Sequence, residues 1–356
     1  MKLAALFAAG SLIAAEPQHI KVYEEPGRFG GWPANHGIWN WGDEILVGFS
    51  AAWFQSKSPD RHQMDSSKPE EPRLARSLNG GVNWTIEAPA SLLPPEQGGK
   101  QPEDLKRPMN FQTPGFVMTI RFTDIHKGPS RLWYSIDKGK TWLGPYNFPL
   151  FGAEGIAART DYIVNGKHDA LVFLTMSKSN GREGRPVCVR TNDGGLTWKL
   201  IARIGKEPPG FSIMPSSLRV GPGELLTLVR VKNEPSNWVE QYRSIDDGLS
   251  WTSEGKIANT GAFSGNPPHL IRLKDGRYCV TYGHRSKPFA IRAKISRDQG
   301  KTWGEEITLR DNAAAWDIGY PRSAQIGDGK VVTLYYYNDA PHRERFLAAT
   351  IWDPGR

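Results

Sequence analysis

Apolar positions in this chain fall in short runs or in strict alternation, and no 3.6-residue helical period is sustained beyond residue 20. The segments 44–49, 170–175, 225–231 and 330–337 each have the length of one strand and end in turn residues. Gly and Pro punctuate the whole chain instead of collecting in a linker. The pattern predicts an all-β protein, and 356 residues are enough to bury a large core.

Superimposed on the strands is a repeat, Ser/Thr-x-Asp-x-Gly-x-x-Trp, found five times, once with Asn for Asp. The copies begin at Ser77, Ser135, Thr191, Ser244 and Ser296 and end at Trp84, Trp142, Trp198, Trp251 and Trp303. Their starts are spaced by 58, 56, 53 and 52 residues. Each position has a physical reason. The Asp or Asn accepts N–H groups of its own turn, the Gly takes a backbone angle that a Cβ opposes, and the Trp packs between neighbouring sheets. Such a turn joins two antiparallel strands and carries no chemistry.

Four strands in roughly 50 residues, repeated about an axis, describe a propeller blade. Blades are expected near 25–90, 107–150, 154–205, 211–258 and 262–308, with strand pairs preceding the boxes at 116–122, 218–230 and 270–282. Residues 314–354 form a sixth unit without a box, in which 340–343 is a loop and 346–351 the third strand. Its fourth strand is expected from 19–23, so that the two ends of the chain close the ring and remove an exposed edge. A single six-bladed β-propeller domain over 19–356 follows.

Composition adds three points. Met1-Lys2, the apolar stretch 3–15 and the break at Glu16-Pro17 predict a signal peptide over 1–15, too short to span a bilayer, and hence a secreted or periplasmic protein. Cys188 and Cys279 fall in different repeats and are expected as buried free thiols. The net charge of +8 suits an anionic partner such as an acidic glycan. No run of five basic residues suggests nucleic acid, no His or Cys spacing suggests a metal, and no Gly-rich loop suggests a phosphate cofactor. No cofactor and no membrane span are expected, and the chain is read as a monomer.

Five boxes in a six-bladed arrangement resemble the sialidase superfamily, with its bacterial neuraminidase (BNR) repeat, over essentially the whole mature chain. The boxes lie at the bottom of such a propeller. A site is therefore expected at the top of the central channel, where inner strands start and second strands end. The resemblance implies three arginines clamping a substrate carboxylate, since a planar guanidinium grips it through paired hydrogen bonds. Arg230 and Arg285, at the ends of second strands in blades four and five, match two of them. The first has no counterpart, because Gly31-Trp32-Pro33 stands where an Arg-Ile-Pro-like motif is expected; Arg28 is the nearest substitute. Trp32, Asn35 and His36 in the same segment offer a stacking plane, an amide and an imidazole for a sugar.

The resemblance also implies a tyrosine nucleophile, matched by Tyr320 in the segment Trp316-Asp317-x-x-Tyr320-Pro321-Arg322, where Asp317 and Arg322 are further binding candidates. Its usual Glu partner is missing from 212–217; Asp317 and Glu154 are the available substitutes. The acid/base is expected in the top loop 51–72, which contains Asp60, His62 and Asp65, with Asp65 in the best position. Three functions fit these residues. One is an exo-acting glycoside hydrolase on a terminal acidic sugar, such as sialic or uronic acid. The second is a polysaccharide lyase using His36, Tyr320 and His284. The third is a glycan-binding propeller without activity.

Overall fold

The computed structural model describes residues 16–233, 235–340 and 342–355; the expected signal peptide lies outside them. The described residues form six antiparallel sheets around a channel, a six-bladed β-propeller. The first sheet comprises Arg28–Gly31, Ile38–Trp41, Glu44–Trp53, Glu71–Ser77 and Thr85–Glu87. The fourth and fifth have four strands each, Phe211–Gly221 to Thr252–Asn259 and His269–Arg272 to Ile307–Arg310. In the sixth, Gly319–Gln325, Val331–Asp339 and His342–Trp352 are completed by Gln18–Tyr23, which pairs His19 with Thr350. The ring closes as expected.

Blade two departs from the four-stranded expectation. Its sheet contains only Val117–Phe122, Ser130–Ser135 and Leu143–Asn147. The innermost place is taken by a segment leading into blade three, where the Ala158 carbonyl accepts the Phe122 N–H at 3.2 Å. Arg121 thus pairs with Arg159 by a single bridge rather than along a strand of its own blade.

The repeated turns obey one hydrogen-bond scheme. In the second, Asp137 Oδ1 accepts the Thr141 N–H at 2.9 Å, and Ser135 Oγ accepts the Gly139 N–H at 2.9 Å and donates to Asp137 at 2.6 Å. Gly139 has φ +75°, and a Cβ there would lie 2.4 Å from Leu46 of the preceding blade. The Trp rings fill the gaps between blades: Trp142 meets Trp39 of blade one, Trp198 meets Phe148 of blade two, and Trp251 meets Phe173 of blade three. Burying such rings is the main apolar contribution holding neighbouring sheets together. Cys188 and Cys279 are free and buried, as expected, each in a different core cluster.

Candidate active site

Three inner strands enter the top of the channel through the same local device. Trp32, Met214 and Tyr320 each precede a proline and each have a left-handed backbone, with φ of 54°, 55° and 52°. A following proline disfavours the right-handed helical region, and a left-handed backbone at a bulky residue costs about 1–3 kcal/mol. The strand register breaks at two of these points, between Ile213 and Ser216 and between Gly319 and Arg322. Such a bulge re-aims a side chain. The three side chains converge, with Phe29, Ile213 and Tyr336, in one buried cluster at the channel mouth.

Within that cluster, Tyr320 is 9% exposed and its hydroxyl accepts a hydrogen bond from Arg230 Nη1 at 2.8 Å. Arg230 also donates to the Ser264 carbonyl and lies 3.4 Å from Met214 Sδ. Burial alone would raise the Tyr320 pKa, but the charges of Arg230, Arg285 and Arg159 outweigh it and bring the phenol below its usual value. Among the described residues, no carboxylate hydrogen-bonds the Tyr320 hydroxyl. Met214 and its neighbours fill the stretch where the Glu partner was sought. The fold brings the expected Tyr320 and Arg230 into direct contact, with Arg285 5.5 Å from the centre of the Tyr320 ring.

The other expected clamp arginines are used elsewhere. Arg285 is fully buried and donates four hydrogen bonds, two to the Ile318 carbonyl, one to the Gly265 carbonyl and one to the Tyr336 hydroxyl. It supports the Tyr320 loop instead of facing a ligand. Arg28 pairs with Glu71 at 3.0 Å and stacks on Trp53, whose ring centre is 4.3 Å away. Arg322 bridges three blades by donating to the carbonyls of Ala34 and Thr160, at 2.6 and 2.9 Å; burial brings its pKa down to about 10. Three guanidiniums expected at a substrate are thus spent on the scaffold.

Trp32 is 7% exposed, packed on Phe29 at 4.7 Å and meeting His62 edge-on, so it offers no open face for a sugar ring. His36 is buried with Nε2 2.9 Å from Ser50 Oγ, and burial holds its pKa well below the usual value, keeping it neutral. Its Nδ1 and the Asn35 Oδ1 are buried without a partner. Asp317 is fully buried and accepts from the Tyr336 hydroxyl at 2.7 Å and from Arg345. It lies 2.6 Å from His62 Nδ1. Burial opposes its ionisation, but His62, Arg345 and Arg285 win and hold the carboxyl far below the usual carboxylate range. Asp317 positions His62. His284 lies 3.4 Å from the Pro288 carbonyl, and Glu154 sits exposed against Gly181.

The top loop of blade one is pinned over blade six by the Trp316 indole N–H on the Pro59 carbonyl and by the His62–Asp317 contact. Asp65 caps a turn in this loop, accepting the N–H and hydroxyl of Ser67, contacts that lower its pKa. That suits a permanent carboxylate, not a proton donor. Asp60 is likewise exposed and lowered by a hydrogen bond from Ser58. Glu70, at the end of the same loop, has the opposite character. It is exposed at its surface but lines a cavity, and the loss of solvent there raises its pKa against the Ser50 hydroxyl and the His62 charge. Nothing in the local sequence marked it, because its character comes from the walls around it.

Those walls form a cavity of about 450 Å³ between the tops of blades one and two, lined by Asn35, His36, Ser50, Glu70 and Arg121. A second hollow, of about 580 Å³, lies across the loop against Phe263, Trp316 and Arg345. His62 stands at the divide, 37% exposed in its side chain, acting electrostatically on Glu70 and packed against Trp316. Lower in the channel, Asp161 accepts the Ser217 hydroxyl at 2.8 Å, and burial pushes its pKa up to about 7 despite the nearby Arg322.

The fold is shared with several solved structures. A protein of unknown function from Dyadobacter fermentans is 21% identical, with a TM-score of 0.75 over 96% of this chain and 98% of that one. The GH93 α-L-arabinofuranosidase of Fusarium graminearum, solved with arabinobiose, is 13% identical with a TM-score of 0.64, covering 96% and 98%. A Trypanosoma rangeli sialidase solved with the inhibitor DANA is 13% identical with a TM-score of 0.60; the match covers 95% of this chain but 60% of that longer one. No curated protein sequence matches. The family model described as a BNR repeat-like domain matches residues 73–333, most of the propeller. The chain belongs to the BNR repeat-like domain family.

Proposed function

We propose that this protein is a glycoside hydrolase acting on a terminal acidic sugar, with Tyr320 as nucleophile and Glu70 as proton donor. The observation that carries the reading is the Tyr320 hydroxyl held at 2.8 Å by Arg230 inside a field of three arginines. A phenol is a poor nucleophile until it loses its proton. In this site the arginine field does the work of the missing Glu partner. In the first step the Tyr320 oxygen bonds the anomeric carbon while the glycosidic bond breaks, and Glu70 gives its proton to the departing oxygen. In the second, water attacks the anomeric carbon, Glu70 takes the water proton, and the phenolate returns to Arg230. The kinship in fold with a sialidase and an arabinofuranosidase supports this class of reaction.

The test is turnover of acidic glycosides by the wild type and Tyr320→Phe. The proposal expects a reducing sugar from the wild type and near-complete loss in the variant. Full activity in Tyr320→Phe overturns it.

One observation favours elimination as the second reading. His62 is oriented by a buried carboxylate and remains half-exposed beside the channel mouth, the arrangement of a general base. A lyase would give an unsaturated product with ultraviolet absorbance and would lose activity in His62→Ala. A saturated product excludes it.

A further inference from the structure

The groove between blades one and two contains a cation that nothing described so far uses. Arg121 lies near the end of Val117–Phe122 in blade two and lines the cavity. Its Nε donates to Thr119 Oγ1 at 3.2 Å, and its guanidinium lies 5.4 Å from the Trp133 ring centre. Among the described residues no carboxylate pairs with it, in contrast with Arg28, Arg76, Arg131, Arg159 and Arg190, each of which has a Glu or Asp partner. Burial, with no opposing charge, brings its pKa down to about 9. Confining a charge this way without a partner is costly. Lys68 lines the same cavity from the top loop, and the buried, unpartnered Asn35 Oδ1 and His36 Nδ1 mark its walls as polar.

We propose that Arg121 is the anion-binding group of this protein, and that with Lys68 it holds the acidic substituent of the sugar in the cavity facing Glu70. The site takes a carboxylate or a sulfate ester, both of which present paired oxygens to a guanidinium. It replaces the carboxylate clamp expected from Arg28, Arg230 and Arg285. The cavity volume falls within the usual range for small-ligand sites. Placing the acid group on the Arg121 wall and the proton donor on the Glu70 wall separates recognition from chemistry. The inference rests on the proposed glycan reading for its ligand class but not on the identity of the nucleophile.

The experiment is calorimetric binding of D-glucuronate, inorganic sulfate and neutral D-glucose to Tyr320→Phe protein, with and without Arg121→Gln. Either anion should bind and glucose should not, with at least a tenfold loss in Arg121→Gln and partial retention in Arg121→Lys. The tighter of the two anions assigns the substituent. Because Arg121 is partly buried, Lys68→Gln on the exposed loop is the second variant, expected to weaken the anion about two- to fivefold without altering the fold. No anion binding, or unchanged binding in Arg121→Gln, overturns the assignment. Anion binding without any hydrolysis in the wild type leaves the subsite standing and sinks the nucleophile reading alone.

Discussion

The two ends of the propeller treat polar groups in opposite ways. At the bottom, every Asp-box turn satisfies itself: hydroxyl, carboxylate and N–H close on one another within eight residues, and the scheme recurs in blade after blade. At the top, polar atoms are buried without partners, including Asn35 Oδ1, His36 Nδ1 and the Nε atoms of Arg159, Arg230 and Arg322. None of the buried unpartnered atoms among the described residues belongs to a box. An unsatisfied buried group costs about 1–3 kcal/mol, so the top face gives up stability that the bottom face supplies. Repetition marks the part of the molecule that holds the fold, and the unsatisfied groups gather where the candidate site is proposed.

That contrast predicts a clean exchange of effects between the ends. The largest is at Tyr320: its phenylalanine variant should lose turnover by on the order of 10³-fold with an unchanged melting temperature, measured by kcat and thermal unfolding. Glu70→Gln should follow, with about a 10²-fold loss on glycosides having a poor leaving group and far less on activated aryl glycosides. At the other end, Asp137→Ala should destabilise the fold by about 2 kcal/mol in denaturant titration. Its kcat per folded molecule should be unaltered; a fall in kcat would break the separation of the two faces.

The smallest effect is expected inside the channel. The folded pKa of Asp161 is raised to about 7, above that of an unfolded Asp, so its contribution to stability is fully present at acid pH. It is lost as pH rises from about 4 through about 7. Asp161→Asn should remove that slope, gaining on the wild type at pH 8 and not at pH 4. Parallel stability curves for the two proteins would overturn this account.

Much of the architecture was legible because it is periodic. Five boxes, their spacing and the alternating runs gave the blades, and chain closure by 19–23 appears as Gln18–Tyr23. The three-stranded second blade was not legible, since its inner place is filled by a segment with no strand pattern. At the candidate site, the places of Tyr320 at a strand start and Arg230 near a strand end were readable, and the fold joins them by a hydrogen bond. The scaffold partners of Arg28, Arg285 and Arg322 were not legible, because a sequence shows where a guanidinium starts and not which groups take its hydrogen bonds. Asp65 and Glu70 sit in one polar loop, and only the surroundings shift their pKa values in opposite directions, which sequence does not show. Trp32-Pro33, Met214-Pro215 and Tyr320-Pro321 occupy equivalent places in three blades, and all three proved to be the left-handed entries that build the channel mouth.

The pairing of His19 with Thr350 joins residues 331 positions apart in the chain. It therefore couples the first and the last described strands of the propeller. Among the described strands, the first has no partner until the last has formed. Local turns and inner blades can order early, but the toroid as a whole locks in a single late event. Closing so long a loop adds only a logarithmic entropy cost, yet contacts of such high order slow folding. A chain shortened by a few residues at either end of the described propeller would thus lose the latch of the ring rather than a peripheral strand.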